Sequence, residues 1–248
     1  MEQNNQNLKI LCVLMARGGS KGVPRKNIRM LSGKPLLAWT VLEAKKSKYI
    51  NRIIISTDDE EIAKVAAEYG AEAPFMRPKE LAADRTLDLP VMQHALRYLE
   101  EKENYKPDAV VQLRPTAPLR RAEHIDFGVK MFLEHPEAHS VRSVTPTPKH
   151  PLKMWRLEGE RLTPLLTHPE VPEAYNSARQ ILQDKMPVFA QNGSVDVIRP
   201  EVILEMNSMS GQNIFGFVMP AEESVNIDSL EDFAVAEKFM AERLEREK

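Results

Sequence analysis

Three short runs of apolar, largely branched residues fall at 9–16 (KILCVLMA), 52–57 (RIIIST) and 109–113 (AVVQL), with helical periodicity between them. This alternation restricts the chain more than any other feature. Runs without polar alternation read as strands buried on both faces, which a sheet covered by helices requires. Helices are predicted over 35–48, 59–69, 89–102 and 121–134, the second stopping at Gly70, where a left-handed residue closes a helix. A short strand is expected at 73–76, two more at 194–198 and 214–219, and a charged amphipathic helix at 229–246. The pattern predicts an α/β fold with a doubly wound, mostly parallel sheet, which places ligands at the carboxyl ends of its strands.

The middle of the chain breaks this rhythm. Pro146, Pro148, Pro151, Pro164, Pro169, Pro172, Pro187 and Pro200 leave no room for a long helix. Residues 154–166 are expected to form a β-hairpin turning at Glu158-Gly159. A Pro-punctuated excursion from an α/β core is a lid, a substrate arm or a dimerisation arm. We therefore expect one domain over 8–248, an inserted arm over 145–190 and a disordered polar tail over 1–7.

Charge and cysteine content exclude several functions. Lys and Arg number 34 against 36 Asp and Glu, a net charge of −2, which gives no support to phosphate-backbone binding of nucleic acid. The single cysteine, Cys12, rules out a disulfide scaffold and fits a reducing cytoplasm. The longest apolar runs are far below the roughly 20 residues that span a bilayer, and the polar N-terminus has no signal-peptide pattern. His135 and His139 are four apart, but Pro136 between them argues against a shared helical face. A metal, if used, is expected to be held by oxygen.

The loop after the first strand carries the chemistry. Ala16-Arg17-Gly18-Gly19-Ser20-Lys21-Gly22-Val23-Pro24-Arg25-Lys26-Asn27 combines three glycines with four cations. Glycines let the backbone approach a phosphate closely, and the cations suit a triphosphate. The spacing is neither GxxxxGK[ST] nor GxGxxG.

With its neighbours this loop resembles the signature of the sugar-acid cytidylyltransferases, the CMP-sialic acid synthetase family. Gly33-Lys34-Pro35-Leu36, Ile55-Ser56-Thr57-Asp58, Arg77-Pro78-Lys79-Glu80-Leu81-Ala82 and Leu113-Arg114-Pro115-Thr116-Ala117-Pro118-Leu119-Arg120 are similar to that family's successive motifs. Gln191-Asn192-Gly193 and Asn226-Ile227-Asp228 match its two late ones, so the resemblance runs in order from about 8 to 240. It implies a Rossmann-like nucleotidyltransferase fold and a homodimer whose Pro-rich arm reaches the neighbouring active site. The implied reaction joins CTP and a sialic-acid-like 2-keto sugar acid into a CMP-sugar and pyrophosphate, with Mg²⁺. An eight-carbon sugar acid, another nucleotide such as GTP, or a catalytically silent binding homologue are the alternatives.

By the same resemblance Arg17, Lys21 and Asp228 are the catalytic candidates, and Ala16, Arg17, Gly18, Lys21, Asn27, Arg77 and Asp88 hold the nucleotide. Asp88, where the family commonly has a small hydroxyl residue, can accept from the cytosine amine or from guanine, or can instead cap the next helix. Arg114 stands where the family often has Gln, and its guanidinium fork suits a sugar carboxylate. Arg120 has a helix-start reading beside it. Thr116, Arg179, Gln180, Gln191 and Asn192 complete the expected sugar side, although Asn192-Gly193 also reads as a turn. A family arginine before that turn is replaced by Ala190. Asp228 and Asn226 are the metal candidates. Asn226 replaces a family Asp, and Asp228 also has the spacing of a helix cap. Met154, Trp155 and Met186 are expected to pack in the arm or at a subunit interface.

Overall fold

In the computed structural model, which describes residues 8–147 and 149–247, the run at 9–16 lies one strand in from an edge of the sheet. Its strand, β1 (Ile10–Met15), is buried almost throughout because neighbours pair with both its edges and helices cover both its faces. The small strands β2 (Met30–Leu31) and β3 (Lys34–Pro35) pair with each other ahead of α1 (Leu36–Lys46). Next come β4 (Arg52–Ser56), α2 (Glu60–Tyr69), α3 (Asp88–Glu103), β5 (Ala109–Gln112), α4 (Ala122–Glu134) and β6 (Ser140–Pro146). The hairpin β7 (Trp155–Glu158) and β8 (Arg161–Pro164) leads to α5 (Arg179–Lys185), β9 (Phe189–Ile198), α6 (Pro200–Leu204), β10 (Ile214–Val218) and α7 (Leu230–Arg246).

The six-stranded sheet has the order β10-β6-β9-β5-β1-β4. Only β9 runs antiparallel to its neighbours. The cause is topological: β6 carries the chain up to the arm at the carboxyl end, and β9 brings it straight back. Leu14, Ile55, Val111 and Val197 join one core cluster with Leu37 and Val41 of α1 and Ile125 and Val129 of α4. Leu11, Ile54, Val110 and Ile198 join another with α3 and α6. Burying each such side chain contributes about 1.5–3 kcal/mol. A third cluster seats α7 against the loop after β1: Phe233, Ala236 and Met240 pack with Val23, Leu31, Trp39 and Ile227.

The main departures from expectation are local. Residues 73–76 form no strand. Glu72 makes one bridge to Ile54, Pro74 has no N–H to donate, and Phe75 turns inward against His94 and Tyr98 of α3. The late strand begins at Phe189 rather than 194, because the returning chain already pairs with Thr145 and Pro146. The hairpin turns at 159–160, one residue later than expected. The expected tail at 1–7 lies outside the described residues. No helix among the described residues is long and apolar enough to cross a membrane.

Candidate active site

The loop at 16–27 leaves the sheet at the carboxyl ends of β1 and β4, where the Ala16 N–H donates to the Ser56 carbonyl (3.1 Å). The Gly18 N–H donates to Asp58 Oδ1 (3.0 Å), and a Cβ at this position would press into the Asp59 carboxylate, so glycine is required for the close approach. Asn27 is buried, and its Nδ2 donates to the Arg17 carbonyl (3.0 Å), fixing the loop's shape from inside. Of the four loop cations, Arg25 pairs with Asp59 and Glu61 at the start of α2. Lys26 donates to the Ile227 carbonyl (2.6 Å) and lies 3.3 Å from Asp228. The other two, Arg17 (2.9 Å) and Lys21, converge on one exposed carboxylate, Asp84. The hydrogen bond from Lys21 and the charge of both partners hold the Asp84 carboxyl below its usual range.

Beside them opens a cavity of about 270 Å³ lined by Met15, Arg17, Arg77, Leu81, Thr86 and Asp88 among others. Arg77 is buried, with Nε on Ser56 Oγ (3.0 Å) and Nη2 on the Ser56 carbonyl (2.5 Å). Burial pushes its pKa down, against the charges of Asp58 and Asp88. Its backbone N–H also donates to the Thr57 carbonyl (2.7 Å), so Arg77 ties the cavity wall to the end of β4.

Asp88 does not cap its helix. It is the first helical residue, after Leu87 at the cap position, and its Oδ2 accepts from Gln112 Nε2 (3.0 Å) and Arg114 Nη2 (2.7 Å). The two expected readers are thus partners of one another: Arg114 is not an unengaged fork, and Asp88 is not a free acceptor. Arg120 does not serve the helix start either. It is 1% exposed, donates to Thr40 Oγ1 (2.7 Å) and the Ser194 carbonyl (2.8 Å), and burial lowers its pKa to about 10.

Thr116 and the 226–228 segment meet at the same end of the sheet. The Ile227 N–H donates to the Thr116 carbonyl (2.8 Å), and Thr116 Oγ1 donates to Asn226 Oδ1 (2.6 Å). Asn226 Nδ2 in turn donates to Asp228 Oδ2 (3.0 Å). The cap of α7 is Ser229, which exchanges hydrogen bonds with Asp232, so the capping reading of Asp228 is overturned and its carboxylate stays exposed. A Cβ on Gly22 would collide with the Asp228 carbonyl, which makes the loop and this segment immediate neighbours.

The expected sugar side divides. Asn192 is buried, accepts from Ser143 Oγ (2.6 Å) and Ser194 N–H (3.1 Å), and donates to Ser224 Oγ (2.9 Å). It ties β6 and β9 to the turn at Ser224. Gln191 is exposed and accepts from Arg142 (3.4 Å). Arg179 and Gln180 begin α5 on the arm, exposed and without a hydrogen bond or ion pair from their side chains to any described residue. The sequence reasoning missed Asp84, Arg142 and Asp196. Nothing marks Asp84 in its loop, but Asp196 was legible as a lone acid among the valines of a buried strand.

Glycine-supported cations and a base-sized cavity at the carboxyl ends of a doubly wound sheet define a nucleotide-binding α/β protein. The family model described as cytidylyltransferase matches residues 11–184, and the chain belongs to that family of nucleotidyltransferases. It is 31% identical to the post-translational flagellin modification protein B of Campylobacter coli, over 95% of this chain and 96% of that one. It is also 32% identical to the CMP-N,N'-diacetyllegionaminic acid synthase of Legionella pneumophila, over 94% and 97%. A solved CMP:2-keto-3-deoxy-manno-octonic acid synthetase in complex with CTP has the same fold, with a TM-score of 0.70 at 14% identity, covering 95% of this chain and 99% of that one.

Proposed function

We propose that this protein activates a nine-carbon, sialic-acid-like 2-keto sugar acid with CTP, giving a CMP-sugar and pyrophosphate in the cytoplasm. The observation that carries the reading is the convergence of Arg17 and Lys21 beside the 270 Å³ cavity, in a chain similar along its length to a CMP-sugar acid synthase. The anomeric hydroxyl attacks the α-phosphorus, the bond from that phosphorus to the bridging oxygen breaks, and pyrophosphate leaves with the electron pair. The hydroxyl proton passes to solvent. Such chemistry needs positioning and charge neutralisation more than covalent help. Arg17 and Lys21 exchange Asp84 for the triphosphate, Arg77 and Asp88 border the base, and Asn27 holds the loop in register.

The exposed Asp228 carboxylate fits Mg²⁺, and Asn226, whose oxygen accepts from Thr116 and whose Nδ2 faces Asp228, would join it only with its amide turned over. Among the described residues no group of three His, Cys, Asp or Glu side chains gathers to hold an ion. The triphosphate and water would therefore provide the remaining ligands, as is usual for this cation. Bound there, the ion would neutralise charge on the phosphates.

The arm supports a homodimer. Trp155, Leu157 and Leu162 are exposed on a hairpin whose strands pair only with each other. An isolated two-stranded hairpin is marginal alone and gains by packing on a second copy. Pyrophosphate release is the test, measured with CTP and with GTP against a panel of eight- and nine-carbon 2-keto sugar acids. Turnover with CTP and nine-carbon acids is expected. Release only with GTP, only with eight-carbon acids, or not at all would refute the reading.

A further inference from the structure

Asp196 lies near the end of β9, in register with Gln112 of β5 on one side and Arg142 of β6 on the other. It is 1% exposed, and neither carboxylate oxygen has a hydrogen-bond partner. Arg142 Nε forms an ion pair with Oδ1 at 3.1 Å without lining up as a hydrogen bond, and Arg114 Nε has no hydrogen-bond partner among the described residues. The remaining nitrogens of Arg142 are occupied, Nη2 by the Met209 carbonyl (3.1 Å) and Nη1 by Gln191 (3.4 Å). Burial raises the pKa of Asp196 against the pull of Arg142, Arg114 and the nearby Gln191 amide, with Asp88 adding to the rise. Buried acceptors and donors left unpaired in one place are costly, and native proteins keep them where something else completes them.

The row of charges runs into the sheet from the 270 Å³ cavity, which Asp88 lines. Asp88 joins the row through Arg114, and Gly193, with φ +65°, brings β9 against the Arg114 stem, where a Cβ would sit 3.1 Å from Cδ. The row thus alternates Asp88, Arg114, Asp196 and Arg142, with its charges balanced. A ligand carrying net charge would upset that balance, whereas a hydroxyl suits it. One O–H can donate to Asp196 while its oxygen accepts from an arginine Nε–H, and no apolar substituent can do either.

We propose that Asp196 and Arg142 form a specificity subsite that recognises one hydroxyl group of the sugar acid. This inference rests on the sugar-acid reading of the site. Losing a hydrogen bond to a charged group in such a place costs about 10- to 100-fold in kcat/KM.

The experiment compares pyrophosphate release from CTP with a sugar acid and with matched analogues that each lack one hydroxyl. Wild-type protein should lose about 10- to 100-fold on one analogue and little on the others. Asp196→Asn, which keeps volume, should reduce that discrimination at least about fivefold. The neutral pair Asp196→Val with Arg142→Met should bring both substrates within about threefold while the KM for CTP stays unchanged. If wild-type protein tolerates every deoxy analogue, water alone completes the row and the proposal falls. It falls equally if Asp196→Asn leaves the discrimination intact, whatever becomes of the double variant. Absence of release with every sugar acid would remove the proposed reaction and this subsite together, whereas the other two results remove the subsite alone.

Discussion

Replacing Lys21 by alanine should separate turnover from folding. The Lys21 side chain is 80% exposed, and its ion pair is with Asp84, which Arg17 also holds. Nothing in the core touches it, and a screened surface pair contributes little to stability. Tm should therefore stay within about 2 °C of wild type. The effect on rate is different in kind. Lys21 and Arg17 are the two loop cations not anchored to the 226–228 segment or to α2, so they are the pair available to a triphosphate. Losing one donor aimed at developing charge typically costs about 10²–10³ in rate. Pyrophosphate release at saturating CTP and sugar acid should show this loss in kcat, with Lys21→Arg recovering part of it. An alanine variant that keeps more than about half of wild-type kcat would make Lys21 a surface charge. A Tm drop beyond about 6 °C would show a packing role that the structure does not contain.

Deleting the 154–166 hairpin should give monomers without activity, and a dimer of unchanged size by light scattering would contradict the arm's role. Asn226→Asp should lower the Mg²⁺ concentration for half-maximal activity, and Asp228→Ala should nearly abolish turnover while leaving the circular dichroism spectrum unchanged. Asn192→Ala should cost about 1–3 kcal/mol in urea unfolding, because it strands the buried Ser143 and Ser194 groups, and should leave the KM for the sugar acid almost unchanged. Burial alone would raise the pKa of Glu43, but hydrogen bonds from Lys46 and Arg243 outweigh it and hold the pKa below its usual value. The stability this confers is present above the ordinary carboxylate range and is lost as pH falls through the lower folded value. Arg243→Met should therefore destabilise the fold by about 3 kcal/mol near neutral pH and flatten its acid transition, measured by urea titration across pH.

The regular framework was legible because its signals are local. Gly70 closes α2 at φ +104°, where the sequence places a left-handed residue. The three apolar runs became β1, β4 and β5 with boundaries differing by one or two residues. The position of the loop was legible too, since a run of glycines and cations directly after a buried strand falls at the carboxyl end of the sheet. What failed was pairing between distant positions. Asp88 and Arg114 are 26 residues apart, and each was expected to reach a ligand when they reach one another. Asp228 has the spacing of a cap, but Ser229 exchanges hydrogen bonds with Asp232 and takes the cap position. Arg120 and Asn192 look like surface or ligand residues in sequence, yet both satisfy buried backbone and hydroxyl groups where strands meet. The purely polar character of a residue does not reveal whether its partner is substrate or protein.

The contact of Gly22 with the Asp228 carbonyl, together with the Lys26 hydrogen bond to Ile227, also bears on how the enzyme is made. The loop after β1 leaves the ribosome about 200 residues before the backbone that braces it. A nascent chain can build β1, α1 and β4 early, but its loop has no floor until 226–228 and α7 have been synthesised and docked on Val23 and Trp39. Chains interrupted between β10 and α7 would hold the six-stranded sheet without the brace. The braced loop therefore arrives in one step, with α7.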